Sequence, residues 1–277
     1  MRPSSRIARL LLSLSLLVLA GFGVAGCQTG GADLNSSSGA LSGGLFSRTS
    51  ATADASAPAG SDWRKESNSA GDRYKSNPKD AAAAMRYAEA LRRTGQRAQA
   101  AAVLQTASIN NPNDMRVLGA YGRALADAGQ LDEALSTLSR AHSPDQPDWR
   151  ILSAQGAVLD QMGRSEEARR YYATALKIAP DEPSVLSNLG LSYALTKDLR
   201  KAEETLRKAA ERGKDEQRVR QNLALVVGLQ GRFQEAEDIA RADLPAEEAA
   251  ANVTYLRQML AEHDNAPART RTAKRAG

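Results

Sequence analysis

Asn113-Asp114-Met115-Arg116-Val117-Leu118-Gly119-Ala120-Tyr121-Gly122-Arg123-Ala124-Leu125-Ala126-Asp127-Ala128-Gly129-Gln130-Leu131-Asp132-Glu133-Ala134-Leu135 reads as a helix, a turn and the opening of a second helix. Asn113 and Asp114 suit an N-cap, where a side-chain oxygen accepts from a backbone N–H left unpaired by the first turn. Leu118, Tyr121 and Leu125 follow at spacings of three and four, on one face. Gly129 can take the left-handed conformation that closes a helix. The second helix is predicted over Leu131 to His142, with Leu131, Leu135 and Leu138 inward and Pro144 and Pro147 ending it. Gly122 and Ala134 are small because two helices cross there; a larger side chain would cost roughly 1–3 kcal/mol in overpacking.

The same unit recurs along the chain. Gly95, Gly129, Gly163 and Gly231 fall on one 34-residue comb, with Lys197 in the remaining place. Ala100, Ala134, Ala168, Ala202 and Ala236 form a second comb, and Ala88, Gly122, Gly156, Gly190 and Ala224 a third. Small residues in phase at this period mean one helical hairpin repeated, each copy closing on the next. Two expectations follow for a register position and its neighbour: Ala168 is buried at a crossing, and Arg169 beside it is exposed.

The pattern resembles the tetratricopeptide repeat. One copy matches it with Tyr87, Ala88, Leu91, Gly95, Ala100, Leu104, Ala107 and Pro112, and another with Leu152, Gly156, Leu159, Gly163, Ala168, Tyr172, Ala175 and Pro180. A further copy keeps Leu186, Leu189, Gly190, Tyr193, Ala202, Leu206 and Ala209, with Lys197 and Lys214 in place of Gly and Pro; a fifth keeps Leu223, Ala224, Gly231 and Ala236. The resemblance covers about 81–242 and implies an all-α fold, an α-solenoid of about five repeats. Trp63 to Lys75 is predicted as an N-terminal helical segment anchored on the first repeat by Trp63 and Tyr74. Pro245 to His263 is predicted as the C-terminal capping helix, with Val253, Leu256 and Leu260 facing the last repeat. The domain organisation expected is 1–26, 27–60, 61–264 and 265–277.

The first of these is a leader. Arg2, Arg6 and Arg9 precede an apolar run, Leu10 to Val24, too short to span a bilayer stably. It ends in Val24-Ala25-Gly26-Cys27, which resembles the bacterial lipobox and holds the chain's only cysteine. That resemblance implies cleavage after Gly26, a diacylglycerol on the Cys27 thiol and acylation of the new amino group, which together anchor a protein stably where one chain would not. Gln28, not Asp, follows the cysteine, which favours the outer membrane over the inner. Residues 27–60 are rich in Gly, Ser, Ala and Thr, and read as a flexible tether with a reach of roughly 30 Å. Residues 265–277 read as a disordered basic tail.

The net charge of +5 overstates the folded part. Three cations lie in the leader, and Arg269, Arg271, Lys274 and Arg275 lie in the tail. The repeats are near neutral and carry no basic cluster interleaved with aromatics, so nucleic acid is not an expected partner. The chain has two histidines, His142 and His263, and no zinc-ligand spacing or phosphate-binding loop, so no metal, cofactor or small-molecule substrate is expected. Gly190-Leu191-Ser192-Tyr193-Ala194 imitates a nucleophile elbow, but it falls inside a helix with no strand before it. Glu166-Glu167 and Glu203-Glu204 sit at helix starts, where the macrodipole favours them. A non-catalytic protein is expected.

The resemblance implies that the second, fifth, sixth and ninth positions of each first helix line a concave groove. Carried over, these positions include Arg116, Arg150 and Arg218, then Asn188 and Asn222, then Arg123, Leu191 and Leu225. The two asparagines lie 34 residues apart, on adjacent rungs, and their amides suit an extended peptide backbone. The row lacks the two-Lys, two-Asn, one-Arg clamp of chaperone-binding relatives. Lipobox, tether and about five repeats together resemble the TadD lipoproteins of the tight-adherence (Flp) pilus system. What that implies is an outer-membrane lipoprotein facing the periplasm, a scaffold whose protein partners are the secretin or other pilus assembly components. The alternative is a general envelope adaptor that presents a protease or peptidoglycan synthase to its target.

Overall fold

The computed structural model describes residues 59–213 and 216–273, which form twelve helices and no strand. Cys27, the lipobox and the tether lie outside the described residues. The helices are α1 (Ala59–Ser76), α2 (Ala81–Arg93), α3 (Arg97–Asn110), α4 (Met115–Asp127), α5 (Leu131–Ser139), α6 (Trp149–Gln161), α7 (Ser165–Ile178), α8 (Pro183–Leu195), α9 (Leu199–Arg212), α10 (Gln217–Leu229), α11 (Phe233–Ala240) and α12 (Ala246–Ala273). They group into two compact units that divide after Gln130. Within each unit, successive helices pack as the hairpins of an all-α solenoid.

The first unit holds α1 to α4. Asp80 and Asp114 cap α2 and α4, each accepting from two backbone N–H groups with its carboxylate. Tyr74 of α1 stacks on Tyr87 of α2 with ring centroids 5.7 Å apart, which seats the N-terminal segment on the first repeat as the sequence predicts. The partner expected for it, Trp63, lies among residues whose side chains are not described.

The second unit holds α5 to α12. Ala168 and Ala202 are fully buried, and a Cβ added at Gly156 would come within 2.5 Å of the Tyr172 ring. One added at Gly190 would meet Leu206 at 2.6 Å, so the small-residue combs mark real helix crossings. Helix α5 stops at Ser139, three residues short of the predicted His142. Its last turn tightens, with the Arg140 and Ala141 N–H groups donating to Thr137 and Leu138 three residues back. Leu256 of α12 is buried, and Val253 packs on a core that includes Leu223, Val226 and Val227. The capping helix continues to Ala273, through nine residues where the sequence predicts a disordered tail. Ala266, Ala268 and Ala273 favour that continuation, against the cost of Pro267.

Gly95, Gly129, Gly163 and Gly231 end the first helices of their repeats with φ between +78° and +81°. Lys197 takes the same place in repeat four with φ +67°. A left-handed residue with a Cβ costs roughly 1–2 kcal/mol, so this turn is strained where the others are not.

Candidate functional site

The predicted groove residues fall in both units. Arg116 and Arg123 lie on α4 of the first unit. Arg116 is exposed and pairs with Asp114 at 2.9 Å. Arg123 is half-buried. The others lie on α6, α8 and α10 of the second unit, the first helices of three successive repeats.

Arg150 and Arg218 are exposed near the N-terminal ends of α6 and α10, and the Arg150 guanidinium lies 4.4 Å from the centroid of the Trp149 ring. Leu191 and Leu225 are half-buried, and Leu225 packs against the Leu223–Val226–Val227 core. The asparagines differ from expectation. Asn222 is only 8% exposed, and both amides are already engaged. Asn188 Nδ2 donates to Ser153 Oγ at 3.1 Å, and Asn222 Nδ2 donates to Ser187 Oγ at 2.9 Å. Each bond runs from one first helix to the first helix before it. The donor side of each amide is thus held by the fold, and the acceptor side is not. Among the described residues, the one buried side-chain polar atom without a partner is His142 Nδ1. The Oδ1 atoms of Asn188 and Asn222 accept no described hydrogen bond, so they are open to solvent.

Ser153 and Ser187, both buried, are functional candidates that the sequence reading passed over. Their signal was present: they stand 34 residues apart, each at the fifth position of its helix, and each 35 residues before its asparagine.

Charge along these helices is sparse. Their charged side chains are Arg150, Asp160, Arg218 and Arg220. Arg220 pairs with Asp243 of the turn before α12. Asp160 is 6% exposed and accepts from Tyr172 Oη at 3.0 Å and Ser192 Oγ at 2.9 Å. Burial pushes its carboxyl above the usual value, against the hydrogen bonds from Ser165, Ser192 and Tyr172 and the charge of Arg169. Burial, then the Asp160 carboxylate, push the Tyr172 phenol well above its ordinary range. Arg150 and Arg218 remain as the exposed charges of α6, α8 and α10.

Arg169 is not the exposed residue expected. Its side chain is 14% exposed, pairs with Glu166, and lies 5.1 Å from the centroid of the Tyr193 ring. It donates to the Ser192 carbonyl and to Thr196 Oγ1, each at 3.3 Å. Arg169 ties α7 to α8, one repeat to the next. Ser192 itself lies in the interior of α8, fully buried. Among the described residues, no cluster of three His, Cys, Asp or Glu could hold a metal ion. No helix among them is long and apolar enough to cross a membrane.

A family model described as tetratricopeptide repeat matches residues 150–215, and one described as anaphase-promoting complex, cyclosome, subunit 3 matches residues 69–141. No curated protein matches the chain. Among solved structures, PilW, described as a widely conserved type IV pilus biogenesis factor, is 21% identical with a TM-score of 0.59, over 70% of this chain and 92% of PilW. A thermophilic tetratricopeptide-repeat protein of Thermus thermophilus is 20% identical with a TM-score of 0.55, over 61% of this chain and 92% of its own. The Cut9–Hcn1 hetero-tetramer of the anaphase-promoting complex is 16% identical with a TM-score of 0.56, over 72% of this chain and 41% of that one. At these identities the likeness is one of fold. The chain is a tetratricopeptide-repeat protein.

Proposed function

We propose that this tetratricopeptide-repeat protein is a non-catalytic scaffold of the bacterial envelope, acylated on Cys27 and facing the periplasm from the outer membrane. It holds a protein partner on α6, α8 and α10 while a secretin and a Flp-type pilus assemble. The observation that carries the binding role is the surface of those helices. It combines open amide oxygens on Asn188 and Asn222, half-buried leucines at 191 and 225, and Arg150 and Arg218 as exposed charges. Extended segments bind such surfaces through backbone hydrogen bonds and side-chain pockets. The envelope setting is supported by Val24-Ala25-Gly26-Cys27 and the low-complexity segment after it. The pilus role is supported by the resemblance to the tight-adherence lipoproteins and by the shared fold of a type IV pilus biogenesis factor.

Cys27→Ser tests the anchor. The variant should accumulate as an unacylated precursor, and secretin multimers and pili should fall with it. Acylated, outer-membrane Cys27→Ser protein would defeat the lipoprotein reading. Normal pili in cells lacking the whole chain would defeat the pilus role and leave the general envelope adaptor.

A further inference from the structure

The two asparagine–serine bonds share one construction. The donor sits at the sixth position of a first helix, the acceptor at the fifth position of the preceding first helix, and the two residues are 35 apart in both cases. An asparagine amide left to itself offers a donor on one side and an acceptor on the other, and can turn to suit its ligand. Here the serine hydroxyl takes the nitrogen. The turn is blocked, and the oxygen is the atom presented.

Resting on the groove reading above, we propose that Ser153 and Ser187 are positioning residues that make the groove a two-rung row of acceptors. Its occupant is an extended partner segment read through backbone N–H groups. A rung of acceptors accepts a chain that carries an N–H at that place and rejects proline or an N-alkylated residue there. The rest of the occupant's chemistry follows from the neighbours. Leu191 and Leu225 call for apolar side chains, and Arg150 and Arg218, with no exposed carboxylate on α6, α8 or α10, call for an acidic residue at the flank. The partner segment is extended, apolar with an acidic flank, and free of proline where it crosses the rungs.

The test uses the purified full chain and a pool of random twelve-residue peptides. A selected peptide is remade with each backbone nitrogen methylated in turn. One or two positions should lose about tenfold in affinity, and the others should not. Ser153→Ala and Ser187→Ala should each weaken the unmodified peptide about fivefold, the scale of one hydrogen bond held in place. In the double serine variant, with helicity intact, the sensitive N-methyl positions should cost little more, because freed amides can turn. A loss of fold alone would not produce that change in pattern. Binding that Leu191→Asp abolishes, but that is flat across the N-methyl scan or indifferent to both serine changes, keeps the groove and overturns the brace. Peptides indifferent to Leu191→Asp, or a selection that returns none, overturn the groove reading itself.

Discussion

The joint between repeats three and four and the joint between repeats four and five use the same register with opposite chemistry. Arg169 and Glu203 stand 34 residues apart, as do Thr196 and Gln230. In the first joint Arg169 donates to Thr196 at 3.3 Å; in the second Gln230 donates to Glu203 at 2.8 Å. Beneath the first lies a buried polar trio, Asp160, Tyr172 and Ser192. The residues 34 further on are Ala194, Leu206 and Val226, all in one apolar core. The second joint places its ions at the surface instead, where Glu203 meets Arg207 and Arg232 at 2.7 Å each. A repeat frame therefore tolerates either solution, and the difference is energetic. A buried carboxylate is safe only while every hydroxyl around it is paired.

The largest expected effect breaks the first joint. Asp160→Ala leaves the Tyr172 and Ser192 hydroxyls without an acceptor in the core, and should cost about 2–3 kcal/mol. Glu203→Ala leaves only solvent-accessible partners and should cost less than about 1 kcal/mol. The triple change Asp160→Ala, Tyr172→Leu, Ser192→Val copies the second joint into the first. It should recover most of the loss, since removing every polar member of a buried network is near neutral where removing one is not. Denaturant midpoints of the three variants check this. A triple variant weaker than Asp160→Ala would show that the polar trio shapes the joint rather than merely filling it.

A smaller effect separates the turns of the same two repeats. Repeat three turns at Gly163 with φ +78°, and repeat four at Lys197 with φ +67°. Lys197→Gly should stabilise by about 1 kcal/mol, the left-handed penalty less the added chain entropy of glycine. Gly163→Lys should destabilise by a similar amount. Thermal midpoints moving in the same direction for both variants would break the comparison.

How much of this was legible depends on the physical signal each feature leaves. The fold was legible because burial and φ repeat: an alanine recurs at each crossing and a glycine at four of five turns. The polar trio was equally visible as an interruption, since Asp160, Tyr172 and Ser192 occupy registers filled elsewhere by Ala, Leu and Val. Arg169 was misread because a charged residue beside a buried alanine is usually solvated. Its long side chain instead reaches across to the next repeat, and nothing in local spacing reports such a reach. The groove asparagines were placed on the right helices, but their donors were not seen to be taken. That bond depends on how two first helices stand side by side, which a 34-residue period implies without giving a distance.

The smallest expected effect is in pH, and it has opposite signs at the two joints. Burial holds the Asp160 carboxyl above its ordinary 3.8. The folded state then binds its proton more readily than the unfolded chain. Its contribution to stability is greatest below 3.8, falls as pH rises toward the raised value, and is flat above it. Burial raises the Glu203 carboxyl too, but hydrogen bonds from Gln230, Arg207 and Arg232 outweigh it and leave the group below its ordinary 4.5. Its contribution is present above 4.5 and is lost as pH falls through the lowered value. Comparing each variant with the parent isolates one group, because every other titration cancels. On acidification from pH 7 to pH 4, the parent should gain on Asp160→Asn and lose ground against Glu203→Gln. The check is the stability difference for each pair, from denaturant unfolding at successive pH values. Two differences that drift the same way would mean that one of the joints does not hold its carboxylate as the geometry requires.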